Sequence, residues 1–128
     1  MPKKEIKLLI PDELITNKIY IIRNQKVMLD SDLAKLYEVE TKVLKQAVKR
    51  NIDRFPEDFM FELTKEEARI SRSQIVTLKQ GQNIKYLPMA FTEQGVAMLS
   101  SVLNSNRSIT VNIQIIRLFT KLRVILAD

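Results

Sequence analysis

Residues 30–52 constrain this chain more than any other stretch, because two short runs of helical periodicity are separated there by only three residues. Asp30 is expected to cap the first helix, residues 31–37, with Asp32 favouring the dipole in its first turn. Thr41 is expected to cap the second, residues 41–51, which must end before Phe55-Pro56 because the residue preceding a proline is pushed out of the helical region. Helices joined so briefly bury their apolar stripes by crossing steeply, and that needs a small residue where they touch. Ala34 is the small residue, flanked by Leu33, Leu36 and Tyr37, and Val39 plugs the turn. Leu44, Ala47, Val48 and Ile52 form the expected inward stripe of the second helix. Glu38 holds the turn position where glycine is common, so the turn either avoids positive φ or carries strain of about 1 kcal/mol.

Subtracting the inward stripe leaves Lys42, Lys45, Gln46, Lys49 and Asp53 on the opposite side, with Arg50 at the margin. This is a cationic face with one amide able to make a bidentate contact to adenine. An ordinary amphipathic helix with a solvated lysine face has the same pattern, so the charge distribution matters. The chain has 21 basic and 15 acidic residues, a net charge of +6. The bases cluster at 42–54, 69–85 and 107–123, whereas acids gather at Asp30/Asp32, Glu38/Glu40, Glu57/Asp58 and Glu66/Glu67. Such sorting favours a polyanionic partner. Residues 69–85 also contain Ser, Thr, Gln and Asn, with Gly81 in an expected loop at 79–85. Arg72, Lys79 and Lys85 are therefore candidates for phosphate contacts flanking the second helix, a surface loop being the alternative.

The flanking segments point to an α+β fold. Residues 1–18 are polar and irregular, with one short turn expected after Pro11. Two β-rich runs, 19–23 and 26–29, surround Asn24-Gln25 and suggest a hairpin. Residues 59–63 alternate, which predicts a strand with Phe59, Phe61 and Leu63 on one face. Thr64 to Glu67 has the pattern of a capping box, opening a helix to about residue 75. A short strand is expected at 84–87, halted by Pro88. Thr92 then caps a helix carrying Val96, Met98, Leu99, Val102 and Leu103, with Gly95 allowing close packing. A phosphate on that helix start would be repelled by Glu93.

After a turn at 105–108, residues 109–126 form the last expected helix. Ile109, Ile113, Ile116, Phe119, Leu122 and Leu126 make one stripe, widened by Val111, Ile115, Leu118 and Ile125. So broad an apolar surface suggests a partner helix from a second copy, or else a place inside a larger monomeric core. Residues 1–128 are expected to form a single domain, with the helix-turn-helix core at 30–52 and a dimerising helical part at 105–128.

Cysteine and histidine are absent, which removes zinc fingers, Cys/His nucleophiles and Ser-His-Asp triads. A nuclease would need clustered carboxylates for metal ions, but Asp30/Asp32 and Glu57/Asp58 are better read as a helix start and a turn. No enzyme activity, metal or cofactor is expected. Charges break up the first ten residues and no run reaches membrane-spanning length, so a soluble, cytoplasmic protein without membrane contact is expected.

Five blocks sharpen this reading: residues 22–29 (Ile-Arg-Asn-Gln-Lys-Val-Met-Leu), 32–37 (Asp-Leu-Ala-Lys-Leu-Tyr), 46–51 (Gln-Ala-Val-Lys-Arg-Asn), 54–61 (Arg-Phe-Pro-Glu-Asp-Phe-Met-Phe) and 91–99 (Phe-Thr-Glu-Gln-Gly-Val-Ala-Met-Leu). In this order they resemble the ORF-six-N-terminal domain family of bacteria and phages, grouped with KilA-N and antirepressor N-terminal domains. The resemblance covers about residues 15–105. It implies a phage- or mobile-element-associated DNA-binding module, often joined to a variable C-terminal part. Glu38 departs from the glycine expected in that pattern. The resulting expectation is a helix-turn-helix regulator or antirepressor-like protein that binds double-stranded DNA as a homodimer. The alternative is an interaction module for an acidic partner such as another regulator.

Overall fold

The structure is a computed structural model describing residues 10–75 and 87–126, with side chains described for residues 10–70 and 87–122. In chain order the helices are α1 (Asp12–Thr16), α2 (Asp30–Tyr37), α3 (Thr41–Arg50), α4 (Lys65–Ile75), α5 (Glu93–Leu103) and α6 (Asn106–Leu126). Strand β1 (Tyr20–Ile22) turns antiparallel into β2 (Gln25–Leu29), with Ile22 opposite Gln25. The reversal is therefore Arg23-Asn24, one residue earlier than expected, and both residues have positive φ (55° and 64°). That double left-handed turn matches the twist of a two-residue hairpin. Arginine is an unusual occupant, but its side chain is held. Its guanidinium makes paired contacts to Glu67 at 2.8 and 3.0 Å and lies 4.2 Å from the centre of the Phe61 ring.

The sheet is antiparallel, in the order β1-β2-β4-β3, with β3 at Met60–Glu62 and β4 at Met89–Phe91. The strand expected at 84–87 is thus corrected: Leu87 and Pro88 are outside any strand, and residues 84–86 lie outside the described residues. Pro88 has no N–H to give a ladder, but its carbonyl accepts the Leu63 N–H at 3.0 Å, and the strand starts immediately after it.

Alternation along the strands sends Met28, Met60, Met89 and Phe91 into the main core. It sends Val27, Leu29, Phe61, Leu63 and Ala90 into a second cluster on the other face. Phe59 precedes β3 and packs with the main core, so it does not share a face with Phe61 and Leu63 as expected. Helix α4 covers the second cluster through Ala68, and the expected capping box opens it. There the Thr64 N–H donates to Glu67 at 2.8 Å, and the Glu67 N–H donates to Thr64 Oγ1 at 3.1 Å.

Helices α2, α3, α5 and α6 line the main core, and the short α1 adds Ile15 to it. Helix α1, little more than one turn, stands where a short turn was expected after Pro11. Thr92 caps α5, accepting the Gly95 N–H at 3.4 Å and donating its hydroxyl to the Asp58 carbonyl at 2.7 Å. Gly95 is required by close approach, since an added Cβ would lie 1.9 Å from the Phe59 carbonyl oxygen.

Helix α6 begins earlier than expected because Ser105 and Ser108 exchange bonds at its start, at 3.1 and 3.2 Å. Its stripe is divided. Val111, Ile115, Leu118 and Phe119 are buried in this chain's own core, while Ile109 and Ile113 are 42% and 49% exposed. Buried Asn112 donates to the Val96 carbonyl at 2.6 Å and accepts from the Tyr37 hydroxyl, tying α6 to α5 and α2. Burial pushes the Tyr37 hydroxyl pKa upward, so it stays a proton donor.

Candidate nucleic-acid interface

Helices α2 and α3 are joined by Glu38, Val39 and Glu40. Glu38 adopts the left-handed conformation (φ 63°, ψ 45°), which decides between the two expectations in favour of strain. Two bonds close the turn: Val39 N–H to the Ala34 carbonyl at 3.0 Å and Glu38 N–H to the Lys35 carbonyl at 3.2 Å. Together they form a Schellman cap. Arg107 of α6 reinforces it, donating to the Leu36 carbonyl at 2.9 Å with its guanidinium 3.5 Å from Glu38. A cation at the carboxyl end of α2 also complements the helix dipole.

Leu44 and Val48 are buried and fix the rotation of α3. At 3.6 residues per turn, Gln46 lies opposite that edge, with Lys42 and Lys49 on one shoulder and Val43 and Arg50 on the other. All five are exposed, and no residue of Thr41–Arg50 is acidic. Four of the five candidate residues on this helix, Lys42, Gln46, Lys49 and Arg50, therefore share one outward surface.

Lys45 does not join them. Its side chain is only 17% exposed, and Nζ donates to the Leu87 carbonyl at 2.8 Å and lies 3.4 Å from Asp30 Oδ2. The same Asp30 oxygen accepts the Met89 N–H at 3.0 Å, while Oδ1 accepts the Ser31 N–H at 2.7 Å. Asp30 is thus not the expected simple helix cap but a buried junction of α2, α3 and β4. Thr41 likewise lies inside α3, behind Glu40 at the cap position, which contributes no side-chain bond. Ile52 leaves the expected inward stripe and is 50% exposed. The cause is Asn51 (φ −121°, ψ 35°), which ends the helix and begins a 3-10 turn at Ile52–Arg54.

Asp32 is buried beside this junction, and burial pushes its carboxyl pKa up against the opposing pull of Lys18 and Lys35. Arg72 belongs to α4 by its backbone, but its side chain lies outside the described residues, as do Lys79 and Lys85 entirely. Two features of the site escape a reading of the sequence. One is the junction at Asp30, which joins residues 59 positions apart. The other is Val43, exposed on the cationic surface beside Gln46 and Arg50, which a search for charge and for an apolar stripe passes over.

The fold and this helix define an α+β domain that holds one acid-free, cationic helix out to solvent on a braced partner. The chain belongs to the ORF6N domain family, whose sequence model matches residues 17–102. This bears out the resemblance seen in the five sequence blocks, and the family is phage-associated, in keeping with a general regulatory role. No curated protein and no solved structure matches the chain. Among the described residues no helix is long and apolar enough to cross a membrane.

Proposed function

We propose that the domain binds double-stranded DNA, with α3 in the major groove and α2 bracing it, as a phage- or mobile-element-type regulator or antirepressor-like protein of the cytoplasm. The observation that carries this reading is the outward surface of α3: Gln46 between Lys42, Lys49 and Arg50, without an acid on the helix. Cations supply phosphate attraction, and the amide supplies a base-edge contact. The role is binding rather than catalysis, and it needs no cofactor.

Anisotropy of a labelled random duplex tests the proposal. Replacing Lys42, Lys49 and Arg50 by Ala should weaken binding and flatten its salt dependence by roughly 0.9 log units for each phosphate no longer neutralised. The same measurement on Arg72, Lys79 and Lys85 variants tests their proposed flanking role. Lys45→Ala serves as a contrast, because stranding buried Asp30 should lower stability by up to about 3 kcal/mol. Binding indifferent to the three exposed cations would turn the reading towards an acidic protein partner.

We further propose that two copies pair through α6. Ile109, Ile113 and half-buried Ile116 follow the four-three spacing of a helix–helix seam. Pairing would supply affinity that one short reading helix lacks.

A further inference from the structure

Val43 lies in the first turn of α3 and is 45% exposed, although every other apolar side chain of that helix is buried or half-buried. A branched side chain gains nothing for the helix there, since valine is a poorer helix former than the straight-chain residues around it. Single exposed apolar residues are common, so its position decides the matter. In a helix that enters the major groove, the amino-terminal residues meet the base edges. Val43 sits one turn before Gln46 and shares its surface with three cations, so the complementary occupant is a polyanion.

The major groove exposes one apolar group, the 5-methyl of thymine, and apolar side chains pack on it. Residues three apart on a helix lie about 5–6 Å from each other, which lets Val43 and Gln46 address neighbouring base pairs. We infer that Val43 is a specificity-determining residue that recognises a thymine by its methyl group, beside an adenine read by Gln46. The target is then duplex DNA and not RNA, whose uracil lacks the methyl and whose major groove is too narrow for side chains. This inference rests on the DNA-binding reading above.

The test begins by selecting bound duplexes from a random pool with the full chain. Each thymine of the selected site is then replaced by deoxyuridine, which removes the methyl and keeps every hydrogen-bonding group. One substitution per reading helix should raise Kd roughly threefold to tenfold, in line with burial of a single methyl. Val43→Ala should abolish that discrimination at the same position and leave the salt dependence unchanged, whereas Val43→Thr, which keeps one methyl, should retain part of it. Tight binding indifferent to every thymine methyl overturns this inference alone, as does discrimination that survives Val43→Ala. Failure to bind any duplex overturns the DNA-binding reading and this inference with it.

Discussion

Arg23 and Glu67 show how single side chains decide local backbone here. The arginine accepts a left-handed turn because its guanidinium is held by Glu67 and the Phe61 ring, while Glu67 also completes its own helix cap. The Arg23 and Thr64 bonds hold the Glu67 carboxyl down at about 2, below its ordinary 4.5. A carboxylate depressed in the folded state stabilises fully above its unfolded value and gives up that contribution as pH falls towards the folded one. The Tm gap between the wild type and Glu67→Gln should therefore be widest above pH 5 and close as pH falls to about 2. A gap unchanged over that range would show that the carboxylate charge plays no part. At this scale the cap was legible, since Thr64 and Glu67 stand three apart. Arg23–Glu67 was not, because an ion pair across 44 residues has no local signal. The same limit explains Lys45, which helical spacing puts near the edge of the polar face and which Asp30 and Leu87 draw inward.

Among the elements, those with their own periodicity or caps were readable: α2, α3, α5 and the hairpin all lie within a few residues of expectation. Strand β4 was not, because its three residues, Met-Ala-Phe, are buried on both faces and show no alternation of polarity. A second feature without a local signal is the tight junction of α5 with the chain before β3. Gly95 sits against the Phe59 carbonyl, where backbone cannot retreat as a side chain would. Gly95→Ala should destabilise by about 3 kcal/mol or more. Chemical denaturation would register a lower midpoint, and a midpoint equal to the wild type's would show that the helix start shifts freely.

For the molecule as a whole, α6 is the element whose burial the sequence could not apportion, since the buried residues of its stripe (Val111, Ile115, Leu118 and Phe119) and the exposed ones (Ile109 and Ile113) are all apolar. Ile109→Glu with Ile113→Glu leaves the buried side untouched and charges only the exposed one. Sedimentation should show a dimeric wild type and a monomeric double variant, with duplex affinity falling roughly tenfold or more as avidity disappears. A wild type that is monomeric at micromolar concentration would contradict the pairing.

The order of the sheet also bears on how the chain acquires its fold during synthesis. Strand β4 lies between β2 and β3 but is made after both. Until Phe91 has left the ribosome, β2 and β3 each have an unsatisfied edge, and the Asp30 carboxylate lacks its Met89 donor. Nascent chains stopped before that point offer open templates for intermolecular pairing. Helix α3, although complete by residue 50, gains its rigid mount only once a strand made some forty residues later is inserted.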